Sequence, residues 1–258
     1  LEGLMAGVMY SLVALGFCLI YKASGVFNFA QGIMMVFAAL CMITVYEAGF
    51  GIIVAVLVAM IAMVGLSFAI ERVVLRPLVN QSQIIMFMAT IGLAFFLEGF
   101  GEFVFGGSSQ HLVPTSALHI GREAVIIPLL GSELRLQQLD LTAGGCAALL
   151  VVVLTVFFQK TPVGRALRAV ADDHQAALSV GVSLNTIWVV VWFISGIIAL
   201  ITGIMWGAKS DVSFALSIIA LKALPVLILG GFTSVPGAIV GGLIIGVGEK
   251  IGEFYWGH

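Results

Sequence analysis

Two groups of residues in this chain have types and spacings suited to noncovalent chemistry, and none has them for covalent catalysis. The first group interrupts long apolar runs: Asn28, Gln31 and Gly32 in KASGVFNFAQG, and Gly230, Gly231, Thr233, Ser234 and Gly237 in GGFTSVPGA. Amides, hydroxyls and open backbone near half-helix N-termini suit a carboxylate or another polar group of a passing solute. The same residues also suit tight turns at a membrane surface, a reading that Lys22 favours because a lysine at a helix end snorkels to water. The second group is Arg165, Arg168 and Asp172, spaced three and four apart on one helix face, which is either solvated or gripped by a soluble partner. No Ser/His/Asp, Cys/His or metal-ligand constellation occurs at a workable spacing, so neither an enzyme nor a metal site is expected. His111 and His119 are isolated loop histidines, and Cys18, Cys41 and Cys146 lie in or beside apolar runs without a CxxC spacing, as small hydrophobes do.

The elements that must position these residues are membrane helices. The 258 residues are 61% hydrophobic and 9% charged, with a mean hydropathy of +1.20, whereas soluble domains run near 45–50% apolar and about 25% charged. Apolar runs long enough to cross a hydrocarbon core of about 30 Å are expected at 2–21, 26–46, 51–74, 83–105, 140–159, 186–206 and 217–248, the last as a broken pair. The fold class is an all-α polytopic membrane protein of about 7–8 transmembrane or broken helices, with an internal repeat and a small external loop region. The net charge of −2 and the thin spread of 11 Lys and Arg exclude a nucleic-acid surface and leave lipid as the surroundings.

Three connections are polar: 71–82 with Glu71, Arg72 and Arg76; 106–139; and 160–185 with Lys160, Arg165 and Arg168. Short cytoplasmic loops retain Lys and Arg, so the first and third are assigned to the cytoplasm and 106–139, with Arg122 and Arg135, to the exterior. Pro, Gly and the alternation of Leu134, Arg135 and Leu136 suggest a small strand-bearing cap there. Small residues four apart, Gly3/Gly7, Gly237/Gly241 and Gly242/Gly246, predict close helix packing within the chain.

TPVGRALRAVADDHQAALSVGVS, 161–183, is the most water-compatible stretch of its length. Thr161 caps a helix with Pro162 at its first position, and Gly181 closes it in a left-handed turn. The span between them allows about four to five turns, with Leu167, Val170, Ala171 and Leu178 as an apolar stripe opposite the charges. No G-x-x-x-x-G-K-[ST] phosphate loop is present, so ATP-driven work needs another subunit to bind the nucleotide.

GRALRAVADDHQAALSVGVS resembles the cytoplasmic signature of permease subunits of bacterial branched-chain amino acid ABC importers and their urea and amide relatives. YSLVALGFCLIYKASGVFNFAQG (10–32) and KALPVLILGGFTSVPGAIVGGLIIG (222–246) agree in order and spacing across both halves. In the family pattern a carboxylate follows the glycine of the first motif, where this chain has Ile33. The resemblance implies a single transmembrane permease domain over 1–258 in the bacterial inner membrane, pairing with a second homologous permease, two cytoplasmic ATPases and a periplasmic substrate-binding protein. It implies no cofactor in this chain, ATP being held by the partner subunits. The 160–185 segment becomes the coupling element, with Thr161, Arg165, Arg168, Asp172 and Gly181 at the ATPase contact.

An ion-gradient-driven carrier or channel for a small polar solute such as urea is the alternative, resting on Glu98 and Glu102 one turn apart and on the two breaks; an inert assembly subunit is a third. Lys209, Asp211 and Lys222 complete the ionisable residues near membrane depth and are expected to sit at the interface or in structural pairs, or, for Lys209 and Asp211, to help seat a binding protein. The chain begins without an initiator Met and ends at GEKIGEFYWGH, so a trimmed sequence is expected.

Overall fold

A computed structural model describes residues 2–78, 81–110, 124–129, 132–172, 177, 179, 181 and 184–257, the side chains of 124–137, 171, 172, 184 and 185 excepted. In chain order its helices are α1 (Glu2–Ser24), α2 (Gln31–Glu47), α3 (Ile52–Ala69), α4 (Gln83–Phe105), α5 (Gln138–Lys160), α6 (Pro162–Asp172), α7 (Leu184–Lys209), α8 (Ile219–Gly230) and α9 (Val235–Trp256). Among the described residues six helices are long and apolar enough to cross a membrane, and Gln31–Glu47 and Phe214–Gly230 are shorter apolar ones.

A helix that is apolar all round must be buried in protein or bathed in lipid, and the two cases separate here. In α1 and α7 the most apolar windows are 78% and 67% buried, against 22–28% in α3, α4, α5 and α9. The first two therefore form the centre, joined by α2, whose Ile33 to Leu40 are all buried. The others surround them and turn Ile53, Ile61, Phe96, Phe103, Leu149 and Val152 outward, as lipid permits.

Glycines set the closest crossing. A Cβ on Gly7 would lie 2.8 Å from Leu243 Cα, and one on Gly3 2.8 Å from Val247 Cα, so α1 and α9 run antiparallel with their backbones in contact. Gly241 meets α8 at Val226 and Gly230 in the same way. The small-residue stripes thus pack within the chain, as expected.

The expected spans differ from the helices in three places. The span at 26–46 begins only at Gln31, because 25–30 is unwound, with Gly25 at φ +67°. The polar connection at 71–82 is largely helix: α3 continues through a π-helix at Ile70–Leu75 and a 3-10 turn at Arg76–Leu78, with Glu71 fully buried and bonded to Arg76 at 3.2 Å. The long last span divides at 231–234, as expected of a broken pair, and its second helix reaches Trp256.

In the 106–139 connection, β1 (Ala124–Leu129) pairs antiparallel with β2 (Ser132–Gln137), Ala124 opposite Gln137 and Leu129 opposite Ser132, which supplies the strands anticipated in this connection. Gln110 is bridged to Val212, tying this connection to the end of α7. His111, His119 and Arg122 lie outside the described residues.

Candidate functional site

The polar segment begins with a cap that its sequence dictates. Thr161 Oγ1 accepts from the Gly164 N–H at 2.9 Å and donates to the Phe157 carbonyl at 2.7 Å. The chain therefore leaves α5 and enters α6 at once. The expected four to five turns are described as three, Pro162–Asp172, with Ala177 and Ser179 also helical and Gly181 in the left-handed region at φ +84°. Gly164, Leu167 and Val170, three apart, are buried, while Arg165 and Arg168 are exposed. Ala177 is buried as well. Among the described residues the amphipathic division holds for Leu167 and Val170 on the buried face and Arg165 and Arg168 on the exposed one. The side chains of Ala171 and Asp172 and all of Leu178 lie outside the described residues.

The first break is held by side chains rather than by a ladder. Ser24 Oγ accepts from Val26 N at 3.2 Å, Asn28 Oδ1 from Ala30 N at 3.1 Å and Thr90 Oγ1 from Phe29 N at 3.4 Å, while Thr90 donates to the Phe27 carbonyl at 3.0 Å. Unwound backbone at membrane depth persists only where protein or water satisfies it. Asn28 and Gln31 are 1% and 2% exposed. Ser195 Oγ on α7 donates to Gln31 Oε1 at 2.9 Å, and Asn28 Nδ2 lies 3.5 Å from the same oxygen. Gly16 leaves room for this amide, since a Cβ there would stand 2.9 Å from Gln31 Cδ. Gly32 abuts the 3-10 turn at Phe214–Ile218, 2.6 Å from the Ser217 carbonyl by the same measure, and Ile33 is buried. The two amides therefore face into the junction of α1, α2 and α7.

The second break is shaped by glycine and a cap. Gly231 has φ +89°, Ser234 Oγ accepts from Gly237 N at 3.0 Å, and a Cβ on Gly237 would lie 2.8 Å from Gly230 C. Thr233 is exposed and Ser234 partly so. The polar groups of the two breaks do not touch; aromatic rings join them instead. Phe232 lies 4.9 Å from Tyr21 and 6.4 Å from Phe27, and Phe27 stacks on Phe17 at 4.5 Å.

Both breaks lie at the same end of the bundle as α6. Lys22 Nζ sits 4.9 Å above the Phe158 ring near the end of α5, and Phe29 packs on Phe87 at the start of α4, 5.0 Å away. A groove of about 400 Å³ opens there between Tyr21, Gly25, Phe27, Gln83 and Phe87. Beneath it a void of about 10 Å³, room for about one water, is bordered by Ser24, Asn28, Thr90 and Trp188. Trp188 Nε1 is buried without a hydrogen-bond partner among the described residues.

Of the ionisable residues expected at the interface or in structural pairs, Lys209 and Lys222 form pairs. Lys209 meets Asp140 at 3.3 Å and Lys222 meets Glu249 at 2.7 Å. Glu98 is half-buried and Glu102 exposed. Ser195, Tyr10 and Glu249 had no signal in the sequence, because their partners lie 164 to 239 positions away.

Against known proteins, a family model described as "Branched-chain amino acid transport system / permease component" matches residues 1–257. The chain is 28% identical to the high-affinity branched-chain amino acid transport system permease protein LivH of Salmonella typhimurium, over 98% of this chain and 85% of that protein. It is 27% identical to the corresponding protein BraD of Pseudomonas aeruginosa, over 99% and 86%. A probable branched-chain amino acid transport permease protein LivH of Methanocaldococcus jannaschii is 28% identical over 99% and 81%. No solved structure matches.

Proposed function

This chain belongs to the family of branched-chain amino acid transport permease components, and we propose that it carries a branched-chain or related amino acid across the membrane under ATP drive supplied by partner subunits. The assembly comprises this chain, a second homologous permease, two cytoplasmic ATPases and a substrate-binding protein on the far side. ATP binds the ATPases. Their closure pushes α6, and the permeases rock against each other around a central gap.

The observation that carries this reading is α6 itself: an amphipathic helix anchored by Gly164, Leu167 and Val170 with Arg165 and Arg168 outward, at the end where positive charge accumulates. It is rooted directly in α5 through the Thr161 cap, so a push on it reaches a spanning helix. Both breaks lie at that same end, which places the segments most able to change conformation beside the force input. Asn28, Gln31 and Gly32 brace one break, and Gly231, Thr233, Ser234 and Gly237 shape the other, with the exposed Thr233 as the group most available to a solute.

The test is charge reversal, Arg165→Glu with Arg168→Glu, in the reconstituted assembly. The expected result is unchanged membrane abundance with loss of transport-linked ATP hydrolysis. Hydrolysis that stays coupled to uptake in that variant overturns the docking role.

A further inference from the structure

Beside the contact between α3 and α7 lies an apolar groove that neither α6 nor the breaks use. A Cβ on Gly196 would stand 2.6 Å from Ser67 Oγ, so the two helices touch there. Next to that contact Val64, Gly65 and Phe68 of α3 and Val189, Val190 and Phe193 of α7 border a groove of about 360 Å³. Pockets that hold small organic ligands span about 300–1,000 Å³. Every lining residue is apolar, and Gly65, Phe68 and Phe193 are exposed, so the groove opens to the outside of the bundle. A Cβ on Gly65 would meet nothing within 4 Å; the missing side chain is part of the space.

Helix periodicity sets a charge at one end of this groove. α3 buries Ala55, Ala59, Met63 and Ser67, four apart, and turns Ile61, Gly65 and Phe68 outward. One turn beyond Phe68 on that face comes Arg72, also exposed. Four residues make close to one turn in either kind of helix, so the π-helix that starts at Ile70 keeps the alignment. Arg76 is held by the buried Glu71, whereas Arg72 makes no ion pair among the described residues.

Two helices give the groove the same depth. From Ile52, where α3 starts, to Arg72 is roughly 30 Å of helix at about 1.5 Å per residue, the thickness of a hydrocarbon core. Arg72 therefore stands at the cytoplasmic boundary, with Phe68 and Gly65 roughly 6 to 10 Å inside it. Along α7, Val189 is likewise roughly 30 Å from Lys209, which pairs with Asp140 at the first turn of α5. The groove thus occupies the inner leaflet, with a guanidinium at headgroup level.

We propose that this groove binds an anionic phospholipid of the cytoplasmic leaflet, one acyl chain lying between α3 and α7 and the phosphate meeting Arg72. The planar guanidinium offers paired donors that match phosphate oxygens, and a basic residue at an anionic leaflet surface gains from its potential. A zwitterionic phosphocholine headgroup carries its own cation and so meets Arg72 with less net attraction. Lodged there, the lipid packs on the open side of α7, the helix whose Ser195 braces the first break.

The test is photolabelling of the assembled transporter in vesicles with phosphatidylglycerol bearing a diazirine on its acyl chain, against phosphatidylcholine bearing the same chain, the labelled peptides being mapped by mass spectrometry. The expected result is adducts at 64–68 and 189–193 about fivefold more abundant from the anionic lipid. Arg72→Gln removes that preference. Gly65→Leu fills the groove and lowers labelling at 189–193 severalfold, whereas Gly145→Leu in α5, where a Cβ also meets nothing within 4 Å, leaves it unchanged. Equal labelling by the two lipids overturns the proposal by making the groove an ordinary lipid-facing wall. Labelling only when the second permease is absent overturns it by giving the groove to that subunit. Full preference in Arg72→Gln overturns the phosphate contact. The lipid comparison uses the unaltered chain, so it stands if a variant fails to assemble. It needs no ATP and is separate from the coupling role, which the charge-reversal variant reports alone.

Discussion

Gly164→Ala tests whether the seat of α6 transmits force. A Cβ at this position would stand 2.6 Å from Phe158 Cα and 2.8 Å from the Phe158 carbonyl oxygen, and it also meets the Phe157 carbonyl. All three are backbone atoms of α5, so no rotamer change relieves the contact. Restoring ordinary contact distances of 3.4–4 Å requires the two helices to part by roughly 1 Å, which overpacking studies place at a cost of about 1–3 kcal/mol. The Thr161 cap holds the junction from its other side, donating to Phe157 and accepting from Gly164, so the strain is released by tilting α6 rather than by sliding it. A perturbation of about 1–3 kcal/mol in a coupling equilibrium corresponds to about 5–150-fold. The assay is ATP hydrolysis by the reconstituted assembly, with and without loaded binding protein, beside thermal unfolding of the permease. We expect at least about a fivefold loss of stimulation with basal hydrolysis retained. Gly144→Ala in α5, where a Cβ meets nothing within 4 Å, should be silent in both measurements. Full stimulation and an unchanged melting temperature in Gly164→Ala would refute the contact; a lowered melting temperature with full stimulation would refute transmission through this junction.

Two further variants probe the buried polar groups by pairing a disruption with its repair. Ser195→Ala removes the donor to Gln31 Oε1 and should destabilise by about 1–3 kcal/mol, the penalty for an unsatisfied buried acceptor; adding Gln31→Met should recover most of it, and thermal melts in detergent that show no loss in the single variant would contradict the network. Arg76→Met leaves the fully buried Glu71 carboxylate without its ion-pair partner. Breaking a buried pair costs about 3–5 kcal/mol, and because the guanidinium is 35% exposed the expected loss of folded yield corresponds to about 1–3 kcal/mol, restored by adding Glu71→Gln.

What was legible in the sequence follows from which contacts are local. The capped start of α6, its buried Leu167 and Val170 and its exposed arginines depend on residues within a few turns, and the period of a helix carries them. The glycine stripes were readable for a related reason: in lipid, apolar area no longer distinguishes one helix face from another, so close approach marked by small residues is the surviving signal, and Gly3 and Gly7 do meet α9. The π-helix at Ile70–Leu75 was not legible, because a charged Glu71 reads as the edge of a loop until the chain's path brings Arg76 back over it. Asn28 and Gln31 looked like groups offered to a solute; their types were informative and their direction was not, since Ser195 on a helix more than 160 positions away decides it. The lesson is asymmetric. A polar residue in an apolar run announces that something must satisfy it, but whether that is the bundle or the cargo depends on a third helix. In this chain the bundle satisfies the amides at the first break: Ser195 Oγ donates to Gln31 Oε1, and Asn28 Oδ1 accepts from Ala30 N, so the groups that looked most available to a solute are the ones the fold has already used.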